Sequence, residues 1–330
     1  MINKQIVFTE KNTAVFMEVP YREPNANEVV VETEYSTVSC GTEKANILGQ
    51  AGKFPVKNMG YSSSGTIVAK GDAVTNLEIG DKVIVYWGSH SKYNTVTQDR
   101  VVKIAEGIDM QQVAMSFIAT FSLAAIRKCR LEIGESAIVV GLGLLGQLAV
   151  KLLRANGACP VIAIDPVAER REEALKNGAD YAIDPNEEGF ADKVKALTNG
   201  GANVAIEVTG VGEGLDKALD CMARFGRVAL LGCTRDKNFT INYYGKVHVP
   251  GITLIGAHTS ARPMTESHAG YFTHEDDINA VFKLIKGKRL DLTSLIKKTC
   301  SPEECFDVYT QLVNDRNFPI TVQFDWGKIK

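Results

Sequence analysis

The run Ser136-Ala137-Ile138-Val139-Val140 leads straight into Gly141-Leu142-Gly143-Leu144-Leu145-Gly146, and an amphipathic stretch, LLGQLAVKLLRAN, opens inside the last glycines. No other feature restricts the fold as strongly. A short, wholly apolar run is a strand buried on both faces, and a helix entered through glycines at this spacing is the strand–turn–helix unit of a doubly wound α/β sheet. Gly141 permits the tight turn, Gly143 lets the main chain approach a pyrophosphate, and Gly146 lets the helix pack on its strand. The amino end of the helix, at Leu144 and Leu145, offers N–H groups and the positive end of a dipole to phosphate. The next apolar run, PVIAID, closes on Asp165, nineteen positions past Gly146, where an acid accepts hydrogen bonds from the adenosine ribose. A 2′-phosphate there would set two anions together, so Asp165 favours NAD over NADP, while nearby Arg170 softens that preference. The bland counterpart is a glycine-rich turn in some other α/β sheet; strand, helix, spacing and acid together weigh against it.

Strand-like and helix-like segments alternate from this point. SAIVV, PVIAID, YAID, NVAIEVTG, GRVALLG and TLIGAH are six such strand runs, with helices between most of them, as a parallel sheet covered on both faces requires. Thr209-Gly210 and Gly232-Cys233 end two of the runs. Ligands of a doubly wound fold sit beyond the carboxyl ends of strands, so these turns are expected to line the cofactor groove, with ordinary turns as the alternative. His258, after the last run, is expected near the nicotinamide or at a subunit edge. Two helical segments close on Asn177-Gly178 and Asn199-Gly200, a left-handed stop.

The first hundred residues have another texture. IVFTE, AVFMEVP, EVVVETEYSTV, SGTIVAKG, DKVIVYW and RVVKIAEG are β-branched and often alternating, the pattern of a small antiparallel barrel or sandwich, and long helical periodicity is absent until about Met110. After about His258 the amphipathic segments HEDDINAVFKLIKG and PEECFDVYTQLVND precede a last strand, PITVQFDW, and this tail is expected to pack back on the N-terminal domain. The expected division is residues 1–120 for the substrate domain, 121–260 for the dinucleotide domain and 261–330 for the return.

Composition excludes several functions. The chain carries 37 basic against 39 acidic residues with no basic block, which argues against nucleic acid and for a small, uncharged or modestly polar substrate. Its seven cysteines form no C-x-x-C pair, and MINKQIVFTEKN has no apolar segment or cleavage pattern, so free thiols in a reducing cytoplasm are expected. The apolar stretch from Ala137 to Leu153 is broken by glycines, Gln147 and Lys151, too short and polar to span a bilayer, so a soluble protein without membrane partners is expected.

These residues resemble the medium-chain dehydrogenase/reductase superfamily, the zinc-type alcohol and polyol dehydrogenases, over essentially the whole chain. Cys40-Gly41-Thr42-Glu43, Gly80-Asp81-Lys82-Val83 after Val-Thr-Asn-Leu-Glu-Ile, the Gly141–Gly146 run and Ile206-Glu207-Val208-Thr209-Gly210 carry the likeness. Within it, the chain looks closest to a branch labelled bacteriochlorophyllide or threonine/sorbitol dehydrogenase-like. The resemblance implies a GroES-like β-barrel catalytic domain joined to a Rossmann sheet, a nicotinamide cofactor, and a homodimer or homotetramer. It also implies a catalytic zinc held by a Cys, by the His of Gly-His-Glu and by a third ligand. Cys40 matches the first ligand, but the second motif reads Gly60-Tyr61-Ser62, and Phe117 or a neighbour stands at the third. One thiolate does not hold a zinc that needs three protein ligands, and the family's four-cysteine structural loop is missing, so a metal-free member is expected. A cryptic site from His90, Cys40 and Glu43 stays open as an alternative.

Without zinc, alkoxide character must be met by a hydrogen-bonding group that also moves a proton. Tyr61, in the place of the ligand histidine, is the first candidate, with a satisfied core tyrosine as the alternative. His90, in YWGSHSKY, suits reversible proton transfer, although a loop histidine is more often simply solvated. Thr42 and Glu43 are candidates for relaying protons or binding substrate hydroxyls, Glu43 equally for capping a turn. Trp87 completes the expected substrate wall, and Cys40 is expected to be a buried, inert thiol. These features point to an NAD-dependent alcohol or polyol dehydrogenase; an NADPH-dependent quinone or enoyl reductase and a non-catalytic dinucleotide-binding protein are the alternatives.

Overall fold

The computed structural model describes residues 2–104, 106–234, 238–315 and 317–329, in two compact units. The first comprises Met1–Ile118 with Ile278–Lys330, the second Ala119–Asp277.

The first unit opens with β1 (Ile2–Glu10), β2 (Thr13–Pro20), β3 (Glu28–Thr37), α1 (Cys40–Ile47), β4 (Ser62–Lys70), β5 (Lys82–Tyr86), β6 (Tyr93–Thr97) and β7 (Val101–Lys103). α2 (Met110–Lys128) carries the chain into the second unit. α7 (His274–Lys286) leads back from the second unit at Ile278, and the tail then supplies β14 (Lys298–Cys300), α8 (Cys305–Asn314) and β15 (Val322–Asp325), numbered after the elements of the second unit given below. β1 pairs with β2, and the larger sheet runs β14-β15-β3-β4-β5-β7 with β6 also on β3. The return of the tail is therefore literal: Gln323, Phe324 and Asp325 pair antiparallel with Thr37, Ser36 and Tyr35. Its core joins both ends of the chain, with Ile6 and Phe8 packed among Val308, Tyr309, Phe324 and Trp326.

Two departures from the sequence reading have local causes. α1 is a helix where none was expected before Met110. Its eight residues, CGTEKANI, are small or polar and too few to display an apolar stripe, and the helix start is fixed by Glu43, whose carboxylate accepts from Ser39 N at 2.8 Å. The short strand YNTVT, Tyr93–Thr97, lies outside the six runs that read as strands. Of the run RVVKIAEG only Val101–Lys103 forms strand, and Ala105 lies outside the described residues.

The second unit contains β8 (Ala137–Val140), α3 (Leu144–Ala155), β9 (Val161–Ile164), α4 (Ala168–Lys176), β10 (Tyr181–Ile183), α5 (Phe190–Leu197), β11 (Ala202–Glu207), α6 (Gly212–Asp220), β12 (Met222–Leu230) and β13 (Thr253–Gly256). All six strands are parallel, in the order β10-β9-β8-β11-β12-β13. Renumbered within the sheet, this is 3-2-1-4-5-6, the Rossmann order, whose topological switch lies between β8 and β11. The four residues of β8 and the four of β9 are all buried, as a sheet covered on both faces demands. Gly178 (φ +107) and Gly200 (φ +114) supply the left-handed stops after α4 and α5.

The segment 261–277, expected with the tail, belongs to the second unit. Asp277 is fully buried and takes the guanidinium groups of both Arg127 and Arg262, while Arg262 also donates to Thr120 O at 2.7 Å. A buried carboxylate is tolerated only with such partners, and they tie this segment to the residues after Ala119. Among the described residues no helix is long and apolar enough to cross a membrane.

Candidate functional site

In the second unit, β8 delivers the chain to Gly141, whose φ of +95° is left-handed and whose N–H donates to Ile164 O at 2.9 Å. A Cβ on Gly141 would stand 2.9 Å from Thr209 Cγ2, so the turns after β8 and β11 touch at the switch point. A Cβ on Gly146 would lie 2.0 Å from Gly141 O, which is why helix and strand can close here only on glycine. Gly143, the N-cap of α3, differs: a Cβ there meets nothing within 4 Å. Gly143 stands at the start of the first helical turn, where Leu144, Leu145 and Gly146 precede the first helical bond, Gln147 N to Gly143 O. An opening beside the amino end of a helix is a shape and a potential suited to a diphosphate.

Asp165 follows β9 and is 3% exposed. Its Oδ2 accepts from Leu142 N and its Oδ1 from Val167 N, both at 2.8 Å. A carboxylate has about four acceptor positions, so two remain for ribose hydroxyls. Arg170 Nη1 lies 3.8 Å from Oδ2 on a partly exposed side chain. Gln147, fully buried on α3, donates to Leu142 O and to Arg170 O at 2.9 Å and accepts from Asn177 Nδ2 at 2.9 Å, locking the glycine turn to α4. In the sequence Gln147 is a polar interruption of an apolar helical stretch; its role shows only in the structure, where it is buried.

The next turns are also built. Glu207, buried at the end of β11, accepts from Thr209 N at 2.7 Å, from the Thr209 hydroxyl and from Gly210 N, and burial pushes its carboxyl upward. A Cβ on Gly232 would fall 2.3 Å from Gly210 N, so Gly232 is required by the approach of one turn to the other. Cys233 is exposed, and His258 is exposed with Nδ1 2.6 Å from the Ser260 hydroxyl.

In the first unit, the candidates divide into two layers. Tyr61, Thr42 and Trp87 fall together, joined by Ser39 and Phe117. The Tyr61 hydroxyl donates to Ser39 Oγ, and Thr42 is its second hydroxyl partner. Burial pushes this phenol up to about 12, against the opposing hydrogen bonds of Ser39 and Thr42 and together with the charge of Glu43. Ser62 Oγ and Thr37 Oγ1 both donate to Ala114 O, at 2.6 and 2.8 Å, and seat α2 on the sheet. Phe117 of α2 then stands edge-on to Tyr61 with ring centroids 6.0 Å apart. Ser39 was missed in the sequence because nothing local marks it; its partner lies twenty-two residues away.

Glu43 and His90 form the layer behind. His90, read as a loop residue, is 0% exposed, as is Glu43. His90 Nε2 lies 3.3 Å from Glu43 Oε2 and Nδ1 lies 2.7 Å from the Ser36 hydroxyl, which also accepts from Trp326 Nε1 at 2.8 Å. The Tyr309 hydroxyl donates to Glu43 at 2.5 Å, and burial drives that phenol far above its ordinary range. The imidazole occupies the space a Cβ on Gly60 would need, 2.3 Å from His90 Cγ, and His90 N donates to Met59 O at 2.5 Å. Neither group presents surface to a substrate; the pair instead holds Ser39 N–H and the Met59–Tyr61 segment in place.

The donor set does not fit a zinc ion. Cys40 is half-buried rather than buried, and its Sγ is 3.5 Å from Ile320 O and 3.9 Å from the carbonyls of Val38 and Pro319. Tyr61 and Phe117 offer a phenol and a phenyl ring where imidazole and a third ligand would be needed. The alternative set of His90, Cys40 and Glu43 is not assembled, and among the described residues no group of three or more His, Cys, Asp or Glu is placed to hold a metal.

Comparison with known proteins agrees with this two-part architecture. A model of the alcohol dehydrogenase GroES-like domain matches residues 25–115, and one of zinc-binding dehydrogenases matches residues 145–270. D-Guloside 3-dehydrogenase of Escherichia coli (strain K12) is 26% identical over 291 residues, 79% of this chain and 82% of that protein. Sorbitol dehydrogenase of Halalkalibacterium halodurans is 26% identical over 314 residues, 84% and 90% of the two chains. Among solved structures, an alcohol dehydrogenase from Escherichia coli CFT073 complexed with NADH superposes with a TM-score of 0.85 at 19% identity, covering 98% of this chain and 99% of that one. A zinc-binding-type dehydrogenase from Sinorhizobium meliloti 1021 bound to NADP does so at 0.83 and 20%, with the same coverage, 98% and 99%.

Proposed function

The chain belongs to the medium-chain dehydrogenase/reductase superfamily, and from that premise we propose that it interconverts an alcohol, polyol or sugar-like, and its carbonyl counterpart by hydride transfer with NAD(H), without catalytic zinc. The observation that carries this reading is the Gly141–Gly146 turn with its opening at Gly143, set against Asp165 at the end of the neighbouring strand β9 of a Rossmann sheet. Gly143, Leu144 and Leu145 would hold the diphosphate, Asp165 the adenosine ribose, and the turns at Thr209 and Gly232 the groove wall. The bound dinucleotide supplies the hydride donor or acceptor. NAD rather than NADP follows from the carboxylate: at 4 Å, two unit charges in an effective dielectric of 20 repel by about 4 kcal/mol. Arg170 reduces that difference.

The protein's own contribution is the handling of oxygen and proton. Tyr61, a phenol that keeps its proton at neutral pH, turns its single O–H from Ser39 Oγ to a carbonyl oxygen that gains charge as it is reduced, while its own oxygen goes on accepting from Thr42. A preorganised donor of this kind contributes about 3 kcal/mol to the transition state. Thr42 and Ser39, hydrogen-bonded to the same phenol oxygen, orient it and pass a proton on, while Glu43 and His90 hold Ser39 and the Tyr61 segment from behind. For assembly we propose a homodimer formed along β13, the outer strand of the sheet, where Leu254 is exposed.

The test is a fluorescence titration with NADH and NADPH, then a screen of polyols, sugars and ketones that follows reduced nicotinamide by absorbance. NADH is expected to bind more tightly, and Tyr61→Phe to lower turnover about 100-fold. Clear NADPH preference with quinone or enoyl turnover would favour the reductase reading. Affinity for neither nucleotide would overturn both.

A further inference from the structure

Trp87 follows β5 with a φ of +58°, in the left-handed region that bulky side chains rarely adopt. Its N–H donates to Tyr61 O at 2.9 Å, so the main chain is held in that conformation by its neighbour strand. Val83 to Tyr86 are all buried, whereas Trp87 is 36% exposed. An outlier of this kind beside a candidate site directs attention to what the side chain does there. The indole is braced on two sides. Phe117 stands edge-on to it at 5.1 Å and 80°, and Tyr61 lies at 5.4 Å and 46°. Three rings thus form a fixed corner in which indole is the exposed member.

Apart from Arg100, whose Nη1 donates to the main-chain oxygen of Trp87 at 3.5 Å, hydroxyls rather than charges accompany this corner. Tyr61, Ser39 and Thr42 contribute three O–H groups, and Ser39 and Thr42 are half-buried. Glu43, acidic and close by, is turned inward with its oxygens on Ser39 N, Tyr309 and His90. Phosphorylated or carboxylated substrates call for a cation among the groups that hold them; Tyr61, Ser39 and Thr42 present none, and Arg100 is directed at the main-chain oxygen of Trp87. An open-chain polyol has no flat apolar face to match an indole. A pyranose ring has one, made of C–H groups that sit well on the negative face of an aromatic system, with hydroxyls around its rim.

Resting on the reading of Tyr61 given above, we propose that the substrate is a neutral sugar in its ring form, a pyranose or its glycoside, stacked on Trp87 with its hydroxyls held by Tyr61 and Thr42. The chain has two tryptophans, and Trp326 is 1% exposed in the core, so a change in tryptophan emission on adding sugar reports Trp87. The probes are methyl hexopyranosides, locked as rings, with a hexitol and a hexose phosphate as comparisons, each titrated with and without NADH. A saturable emission change with at least one pyranoside is expected, with the hexitol and the phosphate at least tenfold weaker. Trp87→Gly, which suits a φ of +58°, is expected to bind the pyranoside at least tenfold more weakly by calorimetry, and Trp87→Phe to stay within about threefold. Both variants should bind NADH like the parent. Equal affinity for hexitol and pyranosides, no response to any pyranoside, or parental affinity in Trp87→Gly would overturn the proposal. NADH binding retained in those cases leaves the dehydrogenase reading standing, whereas its loss in the parent removes that reading itself.

Discussion

Replacing Gly143 by alanine separates the shape of the phosphate cradle from the stability of the fold. Gly143 has φ −68° and ψ −168°, values open to any L-residue, and a methyl group there meets no atom within 4 Å. The free chain therefore accommodates alanine, with a gain of about 0.4–1 kcal/mol from the narrowed unfolded ensemble. The same methyl group fills the space at the start of α3 that a phosphate oxygen needs to reach the N–H groups there. A hydrogen bond to a charged group contributes about 1.5–3 kcal/mol, so loss of one weakens NADH binding roughly 10- to 100-fold. Gly146→Ala supplies the contrast. Its Cβ falls 2.0 Å from Gly141 O, so α3 must move off the turn, at a cost of about 1–3 kcal/mol or more. Thermal melting and NADH titration, run on both variants, give the assay: Gly143→Ala melts like the parent and binds poorly, while Gly146→Ala loses on both counts. If Gly143→Ala melts like the parent and also binds NADH like the parent, the phosphates do not rest at this helix.

Asp165→Asn removes the charge and sets its amide N–H against Leu142 N or Val167 N, so affinity for both nucleotides should fall while the ratio of NADPH to NADH affinity rises about 10- to 100-fold; an unchanged ratio in paired titrations would show that Asp165 does not read the 2′ position. Ser39→Ala should lower kcat for carbonyl reduction up to about tenfold with little change in KM, and Ser39→Thr should restore it, since only the hydroxyl is needed; a loss in KM alone would point to another role. Burial, and then the charge of Arg262, lower His274 from its ordinary 6.5 to about 4. Between those values the unfolded chain takes up a proton that the folded chain refuses, so stability falls as pH drops through that window. His274→Gln should flatten the fall in melting temperature over that range, and superimposable curves would exclude His274 as its source.

The Rossmann half was legible because its constraints are local. A strand buried on both faces reads as AIVV or VIAI, and the three glycines answer contacts a few residues apart, such as Gly146 against Gly141 O. The site in the first unit was legible as a set of residues but not as an arrangement. His90 looked like a solvated loop residue because the groups that bury it, Ser36 and Glu43, lie fifty-four and forty-seven positions away. Glu43 was weighed between a substrate contact and a turn cap; its partner Tyr309 comes from the far end of the chain, 266 residues on. The boundary near 260 was read from the end of the strand–helix alternation, whereas the fold sets it at Asp277 through a charge cluster no periodicity reveals.

The order in which the two units become complete follows from how β3 is paired. The second unit is one uninterrupted stretch, Ala119–Asp277, and all strands of its sheet leave the ribosome well before Val322–Asp325 do. The first unit cannot close its sheet until Val322–Asp325 arrive to cover β3, and Ile6 and Phe8 must wait as long for Phe324 and Trp326. During translation the glycine turn of the second unit therefore forms while the N-terminal strands still await their partners, and a chain cut before Val322 would leave those strands with an open, apolar border.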